Sequence, residues 1–495
     1  VLSKEAGAPG PRALFAAGAF AAALAAAPYT VFDLDRFFAP KELALHAFAL
    51  ALALPLLRRA RLSLERADVP LLLYLALGAA GALLAPDHWL AARALAVTLS
   101  GAALFWSARA ADARTRRFIA GAAAFAAAAA AAACAAQAYG LELAVFSQHR
   151  APGGTLGNRN FVAHLAAVCA PVLALAVLRA QSRKAAAAGL AGAAVLSAAL
   201  VLTRSRAGLL GAAAGAAVLV HGWSRLRGLL DDAAKARAKA LLLAAVMGAL
   251  AALVLPNALE WKSGTPYLDT LTGIADYRKG SGHGRLIQFK RSLRVAQAHP
   301  LLGAGPGNWG VVYPKFVRDA DPSIDYATGR TMNPWPSSDW VAVLSERGVP
   351  ALAALLAVFG LLFSGAWRRG EAGGEDAPEG YALAAALAAA AVVGCFDAFL
   401  LLPAPAFLFW SAAGALAAPS QAVWSAELSP RAGRRLARAA VLIWGAAILR
   451  SAGQLAAMSL YSGARTRSQV ARAAFFDPAN DRINARLRAL AQTGR

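Results

Sequence analysis

Apolar runs of about 20 residues, the length that crosses the hydrocarbon core of a bilayer, recur along most of this chain. They are interrupted at length only once, by the polar stretch from Asn257 to Ser338. A chain patterned this way cannot be folded as a set of soluble domains. With 59% hydrophobic residues, it is expected to be an all-α, polytopic helical membrane protein of about thirteen transmembrane helices, since open sheets cannot satisfy their backbone groups in lipid. Much of the apolar content is alanine and glycine, which suits close helix approach. The expected divisions are residues 1–256 with about nine spans, a loop at 257–338 containing amphipathic helices, residues 339–460 with about four spans, and a helical tail at 461–495.

The formal charge of +23 would fit a nucleic-acid binder if the basic residues formed one patch. They do not. Arg58-Arg59-Ala60-Arg61, Arg109 to Arg117, Arg179 to Lys184, Arg225 to Lys239, Arg368-Arg369 and Arg431 to Arg438 fall in short loops that share one side when thirteen spans are counted. The positive-inside rule then accounts for the charge without a nucleic acid. It places the N-terminus in the cytoplasm and the 257–338 loop outside, together with the 140–159 loop, the Thr203–Arg206 turn and the tail. The first apolar segment follows Lys4 and Arg12 and is expected to stay as a span, with no cleavable signal peptide. Cys134, Cys169 and Cys395 all fall inside expected spans and offer neither metal-ligand spacing nor a disulfide framework. No metal or cofactor is expected.

Several residues on the expected outer face could carry chemistry. Arg204 and Arg206 occupy the shortest outer turn, against the positive-inside trend, so an anionic partner explains them better than snorkelling. Arg159, in Gly154-Thr155-Leu156-Gly157-Asn158-Arg159-Asn160, adds a further cation, with Asn158 or Asn160 available to cap the following span. Arg285 opens a helical pattern with Leu286, Phe289, Leu293 and Ala296 on one face. Such a helix would lie along the membrane interface, drawn either to lipid headgroups or, through its guanidinium fork, to a phosphate. Gly305-Pro306-Gly307-Asn308-Trp309-Gly310 matches the dinucleotide fingerprint only in spelling, because no strand precedes it. Its glycines suit a tight turn and close backbone approach instead. In the tail, Ala473 to Asn480 and the Arg-rich run to Ala491 look like one tetratricopeptide-type helix pair or a basic surface helix. A single repeat must dock on the membrane domain or on a protein partner.

Four stretches together resemble the O-antigen ligase family, which includes O-antigen polymerases and some protein O-oligosaccharyltransferases. They are Gly154–Phe161, Thr203-Arg204-Ser205-Arg206-Ala207-Gly208-Leu209-Leu210, the Arg285 helix running into His299-Pro300-Leu301-Leu302-Gly303-Ala304-Gly305, and Asp339–Gly348. The resemblance implies transfer of a glycan from an undecaprenyl-pyrophosphate carrier to an acceptor hydroxyl, a glycan or lipid A-core, at the periplasmic face of the bacterial inner membrane, among membrane lipids. It places Arg206 and Arg285 on the pyrophosphate, with Arg204 and Arg159 beside them. Fixed guanidinium groups would stabilise the departing charge without a metal. The family's catalytic His falls at Ser337, which cannot take a proton near neutral pH as His can. Asp339, Glu346 and His283 are the substitute bases the sequence offers. The alternatives are a non-catalytic lipid-linked glycan binder or assembly subunit, for which Ser337 is the sign, and a transporter, for which Asp397 is the single deep ionisable residue expected.

Overall fold

The computed structural model describes residues 10–57, 61–273, 280–317, 320–417 and 421–492. Lys4, the Arg58-Arg59-Ala60 run, and parts of the expected loop (274–279, 318–319) and tail (493–495) lie outside the described residues. Nine helices precede the polar stretch: α1 (Pro11–Leu24), α2 (Asp35–Leu57), α3 (Asp68–Leu83), α4 (His88–Arg109), α5 (Ala113–Ala138), α6 (Arg159–Leu178), α7 (Arg183–Thr203), α8 (Arg206–Leu226) and α9 (Asp232–Val254). The stretch itself holds α10 (Pro266–Thr272), α11 (Gly280–Ala298) and α12 (Trp309–Val312). After it come α13 (Asp339–Glu371), α14 (Ala377–Gly394), α15 (Pro403–Leu416), α16 (Pro430–Ser462) and the tail pair α17 (Arg467–Phe476) and α18 (Asp481–Gln492). Ten of the described helices are long and apolar enough to cross a membrane, and α1, α3 and α15 are shorter apolar helices. The protein is all-α in architecture. Four short strands, β1 (Arg61–Leu64), β2 (Ile324–Asp325), β3 (Arg330–Thr331) and β4 (Trp424–Glu427), only pair β1 with β4 and β2 with β3, both antiparallel.

Ion pairs gather the basic turns at one end of the bundle. Arg12 meets Asp112 at 3.8 Å, Arg179 meets Glu379 at 2.8 Å and Arg225 meets Glu371 at 3.1 Å. The opposite end collects the polar stretch, the turn at 395–402 and the tail. There the Asp87 amide donates to Asn308 at 2.8 Å, Asn160 to Asp397 at 3.2 Å and Arg482 to Asp33 at 3.2 Å. Helix α6 runs between these ends through the most crowded part of the bundle, against α5, α7, α8 and α14. Glycines 208, 211 and 215, spaced to share one face of α8, let that helix press on α6 and α14. A Cβ at Gly208 would lie 2.6 Å from Ala163, and one at Gly211 2.6 Å from Val393. Without a hydrophobic drive between helices in lipid, such close contact supplies the packing.

The helix α13 is broken one third of the way along. Gly348 adopts φ +81°, ψ 174°, a region open essentially only to glycine. The carbonyls freed by the break are taken by the 299–309 segment. Ala304 N–H donates to Ser345 O at 2.9 Å, Gly305 N–H to Glu346 O at 2.9 Å, and Val349 N–H returns to Pro300 O at 2.8 Å. The Glu346 carboxylate accepts from Gly307 N–H at 2.8 Å and Trp309 N–H at 3.3 Å. The glycine-rich run is thus a plug seated in the break, and its positive-φ glycines 303, 305 and 307 make the necessary turns.

Two expectations are corrected here. The helix of the polar stretch begins at Gly280, before Arg285; it packs on the protein through Gln288, Ser292, Val295 and Ala296, while Leu286 and Leu293 are exposed, as a face turned to lipid would be. The polar members can be buried because each has a partner: Gln288 donates to Ser323 at 3.1 Å, and Trp309 Nε1 donates to Ser292 at 2.9 Å. Asp397 lies in the turn after α14 rather than in a span, whereas Lys41, Glu42, His46, Arg93, His164, Arg347 and Arg450 do sit within long apolar helices. The tail pair docks on the bundle through Val470, Ala473 and Ile483, which cluster with Phe32, Met458 and Tyr461.

Replacing Gly348 by Ala forces a side chain to within about 2.3 Å of Leu301 O and strains the backbone by roughly 1–3 kcal/mol. The Gly348→Ala protein should unfold several degrees lower in detergent. An unchanged melting temperature would show that the break is not fixed by this glycine.

Candidate functional site

The N-terminus of α6 and the α7–α8 turn bring three arginines together, two of them over one aromatic ring. Asn158 caps α6 by accepting from Asn160 N–H, so Arg159 is the first helical residue. Arg204 links α7 to α8 in a left-handed conformation, φ +54°, and Ser205 caps α8 so that Arg206 opens it. Trp261, from the polar stretch, lies against two of them. The Arg159 guanidinium is 5.0 Å and the Arg204 guanidinium 4.6 Å from its ring, within the range where the ring face attracts a cation. Arg204 also donates to Thr270 at 3.0 Å. Burial lowers the pKa of Arg204; Asp269 and Tyr267 oppose the shift, and the charge of Arg206 adds to it. The Arg206 guanidinium packs against Gly273, where a Cβ would lie 2.3 Å from it. Among the described residues, neither the Arg159 nor the Arg206 guanidinium makes a hydrogen bond or ion pair. These cations are gathered, partly desolvated, and not neutralised by the protein.

Arg285 reaches the same region from α11 and likewise has no hydrogen bond or ion pair among the described residues. Its charge acts on His164, one turn into α6 beyond Asn160, and so does that of Asp397. His164 is fully buried, and neither ring nitrogen has a partner. It lines a small cavity with Phe161, Ala398 and Phe399, behind the turn that carries Asp397. Asp397 is lightly engaged. One oxygen accepts from Asn160 at 3.2 Å and the other from the adjacent Ala398 N–H at 2.9 Å.

The three candidate bases and Ser337 fall in different settings. Asp339 is fully buried, and both its oxygens accept from Phe399 N–H and Leu400 N–H at 3.0 Å. It caps the 395–402 turn. Glu346 is taken up by the plug, as described above. Ser337 is held through its backbone, its N–H donating to Gln288 at 2.7 Å, one helical turn from Arg285. His283 is exposed near the start of α11. Sequence reasoning missed His164 and Trp261. A lone His four residues after Asn160 in an apolar run was the available signal for the first; nothing in the spacing marked the second. No group of three or more His, Cys, Asp or Glu side chains that could hold a metal occurs among the described residues.

Residues 191–356 match the family model Wzy_C, described as O-Antigen ligase. Over that segment, about a third of its length, the chain is similar to the O-antigen ligase family. No curated protein matches the chain. The match runs from within α7 to within α13, and so contains Arg204, Arg206, Arg285, Ser337, Asp339 and Glu346. It leaves out Arg159, His164 and Asp397, which α6 and the α14–α15 turn carry. The match supports glycan transfer of the O-antigen ligase or polymerase type, and guanidinium groups gathered at one place suit an anionic ligand.

If Asp339 caps a turn, removing its carboxylate leaves two buried amides without an acceptor, at roughly 1–3 kcal/mol each. Asp339→Ala should therefore melt well below the parent, with Asp339→Asn, which keeps one acceptor oxygen, falling between. Equal melting temperatures for all three would remove the capping role.

Proposed function

We propose that the protein transfers a glycan from undecaprenyl pyrophosphate to an acceptor hydroxyl, of a second glycan or of lipid A-core, at the periplasmic face of the inner membrane. The observation that carries this reading is the set of unpaired guanidiniums at one end of the bundle: Arg159, Arg206 and Arg285, with Arg204 beside them. The acceptor oxygen attacks the anomeric carbon, the bond from that carbon to the pyrophosphate oxygen breaks, and the pyrophosphate leaves with the electron pair. Arg206 and Arg285 hold that leaving group, where preformed donors act without reorganising. The α6 and α8 N-termini add their own positive dipole ends. The acceptor proton goes to a carboxylate, and Asp397 is the one left with least to do by its neighbours. Asn160 holds it, and His164 lies behind it.

One observation favours a second reading. Ser337 stands where the family has its His, and a Ser hydroxyl is no base at neutral pH. A chain that kept the arginines and lost the base would bind a lipid-linked glycan without transferring it, with the docked tail as the surface for a protein partner.

Purified protein given undecaprenyl-pyrophosphate glycan and an acceptor separates the two. Arg206→Ala and Arg285→Ala should each lower transfer by about 10²-fold or more while leaving the melting temperature unchanged, and full activity in either would sink the clamp. Asp397→Asn should retain donor binding and lose transfer. Activity that appears only in Ser337→His would instead establish the binding role for the parent chain.

A further inference from the structure

At the basic end of the bundle, far from the arginine cluster, a cavity of 340 Å³ opens between α3, α4, α13 and α14, next to the β1–β4 pair. Its polar lining is Arg66, Arg109, Arg368, Arg369 and Gln421 with a single carboxylate, Glu65, and its apolar wall includes Leu361, Leu362 and Leu383. The four arginines are not equivalent. Arg109 is neutralised by Glu65 at 3.4 Å and Asp68 at 2.6 Å. Arg66 and Arg368 are exposed, and neither has a hydrogen bond or ion pair among the described residues. Arg369 donates one terminal nitrogen to Leu416 O at 2.5 Å, but its Nε–H is buried with no acceptor.

The positive-inside rule explains why basic residues gather at this end. It does not explain a cavity, nor a buried guanidinium donor left without an acceptor, which costs free energy unless something fills it. The surroundings specify that something. A compact acceptor is needed among three incompletely paired guanidiniums, whose fork suits phosphate oxygens. The wall beside them is leucine, and Leu361 continues it onto the lipid-facing surface, where it is 37% exposed. An anion joined to an apolar chain meets both requirements, and basic pockets between transmembrane helices are known sites for such headgroups. We propose that this cavity binds the phosphodiester headgroup of an anionic phospholipid from the adjacent leaflet, with an acyl chain laid along Leu361 and Leu362. This site is separate from the glycan-transfer residues and does not rest on their assignment.

The test uses the full chain in detergent and the double variant Arg66→Ala/Arg368→Ala, both residues being exposed and outside the packed interior. Thermal unfolding is followed with added phosphatidylglycerol, phosphatidylcholine or inorganic phosphate, and lipid retention is read by native mass spectrometry. Phosphatidylglycerol should raise the melting temperature and remain bound, phosphatidylcholine should do so far less, and the double variant should need about tenfold more phosphatidylglycerol for the same effect. Should the double variant fold poorly, Arg368→Gln alone provides the comparison, with a smaller shift in the same direction. Equal responses of parent and variants, equal stabilisation by both lipids, or saturation by inorganic phosphate at the same concentration would each overturn the lipid assignment.

Discussion

The seating of the 299–309 segment in the break of α13 is the interaction on which the site depends. A transmembrane helix interrupted at Gly348 exposes carbonyls that lipid cannot satisfy, and the plug supplies their donors from Ala304 and Gly305. In return, the plug's own amides at Gly307 and Trp309 need an acceptor, which Glu346 provides. Each partner therefore removes a cost created by the other. The consequence reaches the chemistry by two short routes. Trp309 holds Ser292 of α11, which fixes the helix carrying Arg285, and the segment of α13 before the break carries Asp339, which holds the turn around Asp397. The positions of a loop cation and a turn carboxylate are thus set by one piece of backbone geometry.

Charged residues inside the bundle show what a structural arginine looks like in this protein. Arg93 lies 2.9 Å from both Asp35 and Glu42, and Arg109 lies between Glu65 and Asp68. Arg347, fully buried, donates to Thr98 at 2.7 Å and sits 4.8 Å from the Tyr74 ring. Burying a cation in lipid is expensive, and pairing with an acid or an aromatic face offsets the expense. Arg206 and Arg285 have neither kind of partner among the described residues. That contrast, more than the number of arginines, is what the proposed ligand-binding role of Arg206 and Arg285 rests on.

The hydropathy pattern and the spacing of basic loops made the helical membrane architecture legible, because span length and loop charge follow from the bilayer itself. Arg204 and Arg206 were legible for a related reason, since they stand against the positive-inside trend, whereas Arg285 was legible through its helical pattern and the family resemblance. What could not be read was the use made of the carboxylates. Asp339 and Glu346 look in sequence like acids beside a site, yet backbone amides from segments 60 and 39 residues away occupy them. Side-chain spacing carries no information about such long-range amides. The exposed Leu286 and Leu293 are compatible with the expected interfacial helix, since a 3.6-residue pattern marks an apolar face that lipid as well as protein can cover. His164 was hidden by its surroundings: one imidazole in an alanine-rich span gives no motif, and only the fold brings Asp397 and Arg285 near it.

The arginine platform also bears on how the site would respond to its ligand. Arg159 and Arg204 share the face of Trp261, and Arg206 repels Arg204 from the next turn. Like charges this close oppose one another, and Arg204 is held besides in a left-handed conformation that non-glycine residues rarely adopt. The platform can persist only because the surrounding helices over-determine it. An arriving pyrophosphate would relieve the repulsion, so part of its binding free energy would come from the unfavourable field of the empty site rather than from new contacts alone. After transfer the same field would act on a leaving group freed of its glycan and more highly charged, and would hold it more tightly than the donor. Stabilisation that grows as charge develops is the kind that accelerates a reaction. For the proposed reaction, release of the carrier pyrophosphate, rather than cleavage of its bond to the sugar, would be the step this cluster of cations slows.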